Sequence, residues 1–339
     1  MEKSEFVTLL VAMRNEEAYI DKCISSLVTQ DYPHENYEVI ILDGCSTDNS
    51  LRIVEEYLPQ YPFLKLVNNP RIIQAAAWNM GIEQSQGSVI GIVSAHSILA
   101  TDYVSNLVET IRRTGADMVG GPTVASSTGL IAEAIALALN SPFGVGNAKF
   151  HYTTKEIEVD TVFMGACYRQ VYEKIGGFDE DMVRNQDDEF SYRLRESGGR
   201  IICNPNIRSS YFNRSNLPGL WRQYFQYGFY KVRVLQKHPH QMSMRQFVPP
   251  AFVLSLIASL ILYVILPWGW ILLAVIAGSY LAANLTASLI TASRKGWKHL
   301  WLLPVTFAIL HLSYGLGFLS GLVKFWNRWG DKTGKVSHF

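Results

Sequence analysis

Cysteine is scarce: Cys23, Cys45, Cys167 and Cys203 lie far apart, with no CxxC pair among them. That spacing argues against a zinc site and suits reduced thiols in a cytosolic compartment. Net charge is nearly absent at +1, so no field of one sign points to nucleic acid as a partner. No Gly-x-Gly-x-x-Gly follows the first apolar run, where Arg14-Asn15-Glu16-Glu17 stands instead, and no GxxxxGK[ST] occurs anywhere. Those gaps exclude a dehydrogenase-type dinucleotide site and a P-loop. Gly144-Val145-Gly146 is a lone GxG outside that context and reads as a loop. The apolar run Phe6–Met13 is too short for a secretory signal and reads as a first strand.

Residues 246–293 lack charge altogether, with no Asp, Glu, Lys, Arg or His. A membrane crossing takes about 20 residues, so the stretch suffices for two helices. Leu266-Pro267-Trp268-Gly269-Trp270 divides it and supplies a turn with aromatic anchors. A third apolar run, Leu300–Val323, is interrupted only by His311. The predicted spans are 248–266, 269–291 and 300–323. A soluble buried hairpin is the alternative for the first two, and an uncharged run of this length argues against it.

Basic residues set the orientation. Lys231, Arg233, Lys237 and Arg245 precede the first span, and Arg294, Lys295 and Lys298 follow the second. Both flanks prefer the cytoplasm, which makes the first two spans a hairpin with its tip outside. Lys324, Arg328, Lys332 and Lys335 follow the third run, so the carboxyl terminus prefers the cytoplasm as well. A single crossing of 300–323 violates that preference, whereas a bent or re-entrant segment, allowed by Pro304, Gly315, Gly317 and Gly321, would satisfy it.

What is present ahead of residue 122 is strand and helix in alternation. Phe6–Met13, Glu38–Asp43, Leu64–Asn68, Ser88–Val93 and Asp117–Gly121 read as strands, with helices over Ala18–Gln30, Asn49–Tyr57, Ile72–Gln84 and Asp102–Thr114. Short connections and right-handed crossovers then predict a doubly wound parallel sheet. The run Val39-Ile40-Ile41-Leu42 reads as an inner strand buried on both faces. It breaks into Asp43-Gly44-Cys45-Ser46-Thr47-Asp48, where a strand's carboxyl end meets a helix's amino end. Ligands bind in that crevice in open α/β sheets. Asp43 and Asp48 are therefore predicted to face a ligand with hydroxyl or N–H donors, helix capping being the alternative for Asp48.

Six motifs in order resemble the inverting GT-A glycosyltransferases of family 2. They are Val11-Ala12-Met13-Arg14-Asn15-Glu16-Glu17, Asp43–Asp48 and Ala77-Trp78-Asn79-Met80-Gly81-Ile82, then Phe163-Met164-Gly165-Ala166, Ile175–Glu180 and Gln186-Asp187-Asp188-Glu189-Phe190. The likeness covers about residues 6–237. Within the family it leans to the membrane-attached branch that includes the succinoglycan enzyme, through Asn140–Asn147 and Gln223–Gly228. The resemblance implies a GT-A (Rossmann-like, mostly parallel sheet) α/β catalytic domain over 1–218. An amphipathic interfacial helix and linker would follow over 219–245, then a helical membrane region over 246–323 and a basic tail over 324–339.

The resemblance also implies a nucleotide-diphosphate sugar donor. Asp43 would accept the base N–H, Ala12, Arg14 and Glu16 would line the nucleotide pocket, and Arg71 would offset diphosphate charge. A solvated loop arginine is the alternative for Arg71. Asn79 would hold a loop or the sugar, with an ordinary helix polar residue as the alternative. Where the family carries Asp-x-Asp for a divalent ion, this chain has Ser94-Ala95-His96. Hard magnesium prefers carboxylate oxygens, whereas manganese accepts an imidazole more readily. His96 as a metal ligand, as a phosphate donor without metal, or as a structural histidine all stay open, with Mn2+ or Mg2+ as the cofactor.

Asp187 is the expected catalytic base, because an inverting transfer needs a group to take the acceptor hydroxyl's proton. Acids at a helix start also suit the helix dipole, which accounts for Asp188 and Glu189. Asp188, Trp221, Arg222 and Gln223 are the candidate acceptor and lipid-diphosphate residues. Trp221, Tyr224, Phe225 and Phe229 share one helical stripe, and Arg222, Arg233 and Lys237 another, which predicts an interfacial helix. The Gln-x-x-Arg-Trp motif of processive relatives is absent, which favours single sugar addition. The expected activity is transfer of one hexose, UDP-linked, to a polyprenyl-linked acceptor at the cytoplasmic face of the cell membrane. Polyprenyl-phosphate sugar transfer, processive synthesis and a non-catalytic sugar-nucleotide sensor are the alternatives.

Overall fold

The computed structural model describes residues 5–122, 124–126, 128–146 and 153–330. Asn147, Lys332 and Lys335, used above, lie outside them. In chain order the elements begin β1 (Val7–Met13), α1 (Ile20–Val28), β2 (Tyr37–Asp43), α2 (Ser50–Tyr57), β3 (Leu64–Asn68), α3 (Gln74–Gln84), β4 (Val89–Ser94) and β5 (Ser97–Leu99). Next come α4 (Tyr103–Thr114), β6 (Met118–Gly121), β7 (Val124–Ala125), α5 (Leu130–Leu139), α6 (Pro142–Val145), β8 (Ile157–Glu158) and β9 (Phe163–Tyr168). The chain closes with α7 (Arg169–Ile175), α8 (Gln186–Glu196), β10 (Ile201–Cys203), β11 (Ser209–Tyr211), α9 (Leu217–Lys237), α10 (Val248–Ile265), α11 (Gly269–Lys295) and α12 (Leu303–Lys324).

The chain divides into two compact units. The first, built from residues 1–126 and 149–212, centres on an eight-stranded sheet in the order β3-β2-β1-β4-β9-β6-β10-β8. β3, β2, β1 and β4 run parallel, while β9 and β8 run against their neighbours. A small second sheet, β5-β11-β7, was not foreseen, because strands of two or three residues leave no periodic signal.

Successive side chains of a strand point to opposite faces, and here both faces are covered. Val39 and Ile41 of β2 join α1, α2 and α4 in one core; Ile40 and Leu42 join α3, α7 and α8 in the other. That is why β2 reads as an unbroken apolar run.

Glu38 sits at the start of β2, at the far end of the sheet from Asp43. Its carboxylate is buried and accepts from Thr8 Oγ1 at 2.7 Å, the Gln86 N–H at 2.6 Å and Lys65 Nζ at 2.6 Å. Burial alone would push its pKa up, but Lys65, Gln86 and Thr8 together outweigh burial and hold it below the usual glutamate value. The unfolded chain titrates near about pH 4.3. The stability from this site is therefore present above that pH and lost as pH falls through the lower folded value. Glu38→Gln is expected to flatten the acid limb of the pH–stability profile, read by denaturant melts between pH 7 and 3. An unchanged limb would place the acid sensitivity elsewhere.

The second unit holds residues 127–148 together with 213–336. Residues 128–146, read above as part of the catalytic domain, thus pack with the carboxyl-terminal helices, and Gly144-Val145 falls in the single turn of α6. Ile135 and Ala138 of α5 share a core with Leu220 of α9 and with Leu303, Phe307 and Leu310 of α12. Among the described residues, three helical segments, Met244–Ile265, Gly269–Lys295 and Leu303–Lys324, are long and apolar enough to cross a membrane.

The amphipathic reading of α9 needs correction. Lys231, Arg233 and Lys237 are buried within this unit rather than displayed on an open basic stripe. Arg233 Nη1 meets Gln236 Oε1 at 2.5 Å and the Arg328 carbonyl at 3.3 Å. Helical periodicity shows which residues share a face; it does not show whether the fold buries that face.

Candidate active site

The loops that leave β1, β2 and β3 hold one another in place. Asp43 ends β2, is buried, and accepts from the Ser46 N–H at 3.1 Å and the Ser46 hydroxyl at 2.5 Å. Ser46 Oγ in turn accepts from the Asn15 N–H at 3.0 Å, and Asn15 Oδ1 accepts from the Thr47 N–H at 2.8 Å. The Asn69 N–H donates to the Asp43 carbonyl at 2.7 Å. A Cβ on Gly44 would sit 3.0 Å from the Ile72 carbonyl oxygen, so glycine lets these loops close.

Asp48 takes the alternative role. Its oxygens accept from the Glu17 N–H at 3.2 Å and the Ser50 N–H at 3.0 Å, which ties the β1 loop to the start of α2. Burial alone would raise its carboxyl, but hydrogen bonds from Ser50 and Glu17 outweigh that and hold it low.

Strand order reverses between β1 and β4, and there Ala12 registers with Ser94. Loops diverging from such a switch point leave a crevice at the strands' carboxyl ends. Across it Glu16 Oε1 faces His96 Nδ1 at 3.3 Å, each side chain partly exposed. Arg14 is exposed on the β1 loop, and Ala95 is buried beneath His96. Among the described residues no three His, Cys, Asp or Glu side chains group as a ready metal set.

The amino end of α8 reaches the same end of the sheet. Gln186 Nε2 donates to Gln74 Oε1 at 2.7 Å, joining the first turns of α8 and α3 beside the loop that touches Asp43. Asp187, next in line, is exposed, while Asp188 is half-buried. Glu189 is buried against Arg193, with Oε1 to Nε at 2.6 Å.

Two expected donor residues are engaged elsewhere. Arg71 Nη1 meets both Glu180 carboxylate oxygens at 2.8 Å. Asn79 Nδ2 donates to the Phe178 carbonyl at 2.8 Å and to Glu180 Oε1 at 3.1 Å, and its Oδ1 accepts from the Phe178 N–H at 2.7 Å. Their polar atoms are engaged by the 177–180 loop.

Backbone strain clusters here. Among the described residues, the non-glycine residues with positive φ are Asn15 (54°), Cys45 (58°), Ile72 (67°), Met164 (51°) and Asn185 (65°). The loops after β1, β2 and β3 and the cap of α8 hold four of them, and Met164 Sδ accepts the Ser94 N–H at 3.3 Å. Such strain persists where the surroundings over-determine it, and functional sites are its usual place.

In the second unit Trp221 and Arg222 line a groove of about 600 Å³ on α9 with Pro218, Phe225, Phe229 and Tyr230. Gln223 Nε2 donates to the Tyr227 hydroxyl at 3.1 Å.

Comparison with known proteins identifies the family and the fold. Residues 8–176 match Glycosyl transferase family 2. The chain is 31% identical over 94% of its length to the succinoglycan biosynthesis protein ExoA of Rhizobium meliloti (strain 1021), covering 96% of that protein. It belongs to glycosyl transferase family 2. A dolichyl N-acetyl-alpha-D-glucosaminyl phosphate 3-beta-D-2,3-diacetamido-2,3-dideoxy-beta-D-glucuronosyltransferase of Methanococcus voltae is 30% identical over 94% of this chain and 98% of its own. The fold is shared with the mannosyltransferase PcManGT from Pyrobaculum calidifontis, solved with GDP-Man and Mn2+. That pair has a TM-score of 0.61, 20% identity, and coverage of 95% of this chain and 88% of that one.

This family 2 glycosyltransferase therefore carries a GT-A catalytic fold followed by apolar helices able to cross a membrane. Glu180, Gln74 and Ile72 went unnoticed in the sequence. Glu180 stood inside a quoted motif, but its link to Arg71 spans a sequence separation that spacing does not reveal. An isoleucine gives no hint of left-handed backbone, which β-branched residues avoid.

Proposed function

We propose that this chain transfers one hexose, with inversion, from a UDP-sugar to a polyprenyl-linked acceptor at the cytoplasmic face of the cell membrane. The observation that carries this is the gathering of Asp43, Glu16, His96 and Asp187 at one end of the sheet. Asp43 would accept from the base; Ala12, Arg14, Ser94 and Ala95 would border the donor.

The acceptor hydroxyl attacks the anomeric carbon from the face opposite the diphosphate. A new C–O bond forms as the bond to the nucleotide diphosphate breaks, and the Asp187 carboxylate takes the hydroxyl's proton. The first turn of a helix favours a charged carboxylate there. Trp221, Arg222 and Gln223 would meet the lipid acceptor, the guanidinium toward phosphate, and Asp188 would border the acceptor site.

One imidazole and one carboxylate, facing at 3.3 Å, form a donor pair of the kind that would suit manganese. His96 and Glu16 would hold it, and what such an ion supplies is neutralisation of charge on the departing diphosphate. The sensor alternative rests on Ser94 and Gln186, which stand where the family resemblance implies acids. Gln186 has a matching amide partner in Gln74, which gives that departure a structural reason.

The test is transfer by the purified full-length protein, with a panel of nucleotide sugars and polyprenyl-linked acceptors, with Mn2+ and with chelator. One sugar added in inverted configuration is expected. Donor binding without transfer would establish the sensor, and a polymeric product the processive synthase. Asp43→Asn is expected to weaken donor binding about 10- to 100-fold, the worth of a hydrogen bond to a charged group. Titration of nucleotide onto the variant reads this directly, and unchanged affinity would remove Asp43 from the donor pocket.

A further inference from the structure

α12 has the length and composition of a third membrane crossing, yet its surroundings are those of a helix held at one depth. Of its apolar stretch 44% is buried, against 17% and 11% for those of α10 and α11. At its start, Lys298 Nζ and His299 Nε2 contact Glu133 Oε2 of α5 at 2.6 and 2.8 Å. At its middle, His311 Nε2 donates to the Phe143 carbonyl of α6 at 2.8 Å, and the Tyr280 hydroxyl donates to Nδ1 at 3.0 Å. Past its end, Gln236 Nε2 of α9 donates to the Phe325 carbonyl at 2.7 Å.

Between these points α12 lies along α9, both running in the same direction. A Cβ on Gly317 would fall 2.1 Å from the Phe225 carbonyl oxygen, one on Gly228 2.1 Å from that of Tyr314, and one on Gly321 2.5 Å from that of Phe229. α9 carries Arg222, Lys231, Arg233 and Lys237 within 21 residues, which hydrocarbon does not tolerate on a crossing helix. α5 and α6 form an excursion that leaves the strands of the first unit after β7 and returns to them at β8. A helix whose start, middle and end all touch such segments cannot have its two ends on opposite faces of a bilayer.

The contacts of α12 with the α10–α11 hairpin agree. They fall at Phe247, Pro249 and Val253 near the start of α10, at Tyr280 and Asn284 midway along α11, and at Ala292 near its end. The tip around Trp268 is at the other end. α10 alone, at 18 residues and about 1.5 Å per residue, matches a hydrocarbon core of about 30 Å.

We propose that this chain crosses the membrane twice, not three times, and that α12 lies beside α9 in the cytoplasmic headgroup layer. Both ends of α12 are then cytoplasmic. The charge pattern fits without exception, since Arg294, Lys295 and Lys298 precede α12 and Lys324 and Arg328 follow it. Trp301, Trp326 and Trp329 are exposed at its two ends and serve as interfacial anchors in the plane. The partner of this surface is lipid headgroup, and it sets the α9 groove at the depth of a lipid-linked phosphate.

The proposal rests on the membrane reading of the hairpin but not on sugar transfer. The test uses the full-length chain in its membrane, with the exposed Cys45 replaced by serine and single cysteines introduced as Trp268→Cys, Trp297→Cys and Gly330→Cys. Labelling with a membrane-impermeant maleimide is compared between intact cells and inverted vesicles. Trp268→Cys is expected to label from outside, and Trp297→Cys and Gly330→Cys only in inverted vesicles. Gly330→Cys labelling from outside would establish a third crossing and overturn the proposal. Trp268→Cys shielded from outside would overturn the hairpin itself. A carboxyl-terminal reporter fusion gives a second reading without the cysteines: fluorescent GFP is expected, and active alkaline phosphatase would count against two crossings.

Discussion

Asp187→Asn is expected to lower turnover by about 10²- to 10⁴-fold, the usual contribution of a positioned general base. Donor affinity and the thermal midpoint should stay near wild type. The side chain is exposed. The helix around it is held by the backbone, where Ser191 Oγ donates to the Asp187 carbonyl at 2.8 Å and pairs with Thr161 Oγ1 at 3.0 Å. An amide of the same shape keeps that arrangement and removes only the proton acceptor. Steady-state transfer rates, set beside nucleotide titration of the same preparation, separate chemistry from binding. Wild-type turnover in Asp187→Asn would move the base to another carboxylate.

Glu189→Ala, two residues on, should produce the opposite pattern. Glu189 is 1% exposed, and its carboxylate takes the Arg193 Nε at 2.6 Å and Nη2 at 3.0 Å. The same guanidinium donates to the Ile175 and Gly177 carbonyls at 2.5 and 2.7 Å, so one ion pair anchors α8 to the loop after α7. Breaking a buried pair by removing one partner costs about 3–5 kcal/mol, because the other charge stays behind. Arg193 retains some exposure, which favours the lower end, about 3 kcal/mol. Denaturant unfolding of the variant reads this loss, and residual transfer activity in the folded fraction should persist. A variant as stable as wild type with no activity would reverse the roles assigned to Asp187 and Glu189.

Those two residues show where sequence reading stops. Both are acids in the first turn of one helix, and helix electrostatics treats them alike. What distinguishes them is that the helix turns Glu189 inward and Asp187 outward, and that Arg193 waits one turn later on the buried side. Arg71 and Asn79 make the same point from the other direction. Each was a sound candidate by type and position, and each is held by the 177–180 loop, which is about a hundred residues away in sequence.

The parallel half of the sheet, the crevice after β2 and the apolar hairpin were set by local pattern alone: unbroken aliphatic runs, oxygen-rich turns and an uncharged stretch long enough for two crossings. Those features depend on near neighbours in the chain, so the residues carry them wherever they are read. The Glu16–His96 pairing, the meeting of Gln74 with Gln186, and the burial of the α9 cations were decided by tertiary packing. Each joins segments that no periodicity links, and which polar group faces solvent depends on what the fold lays over it.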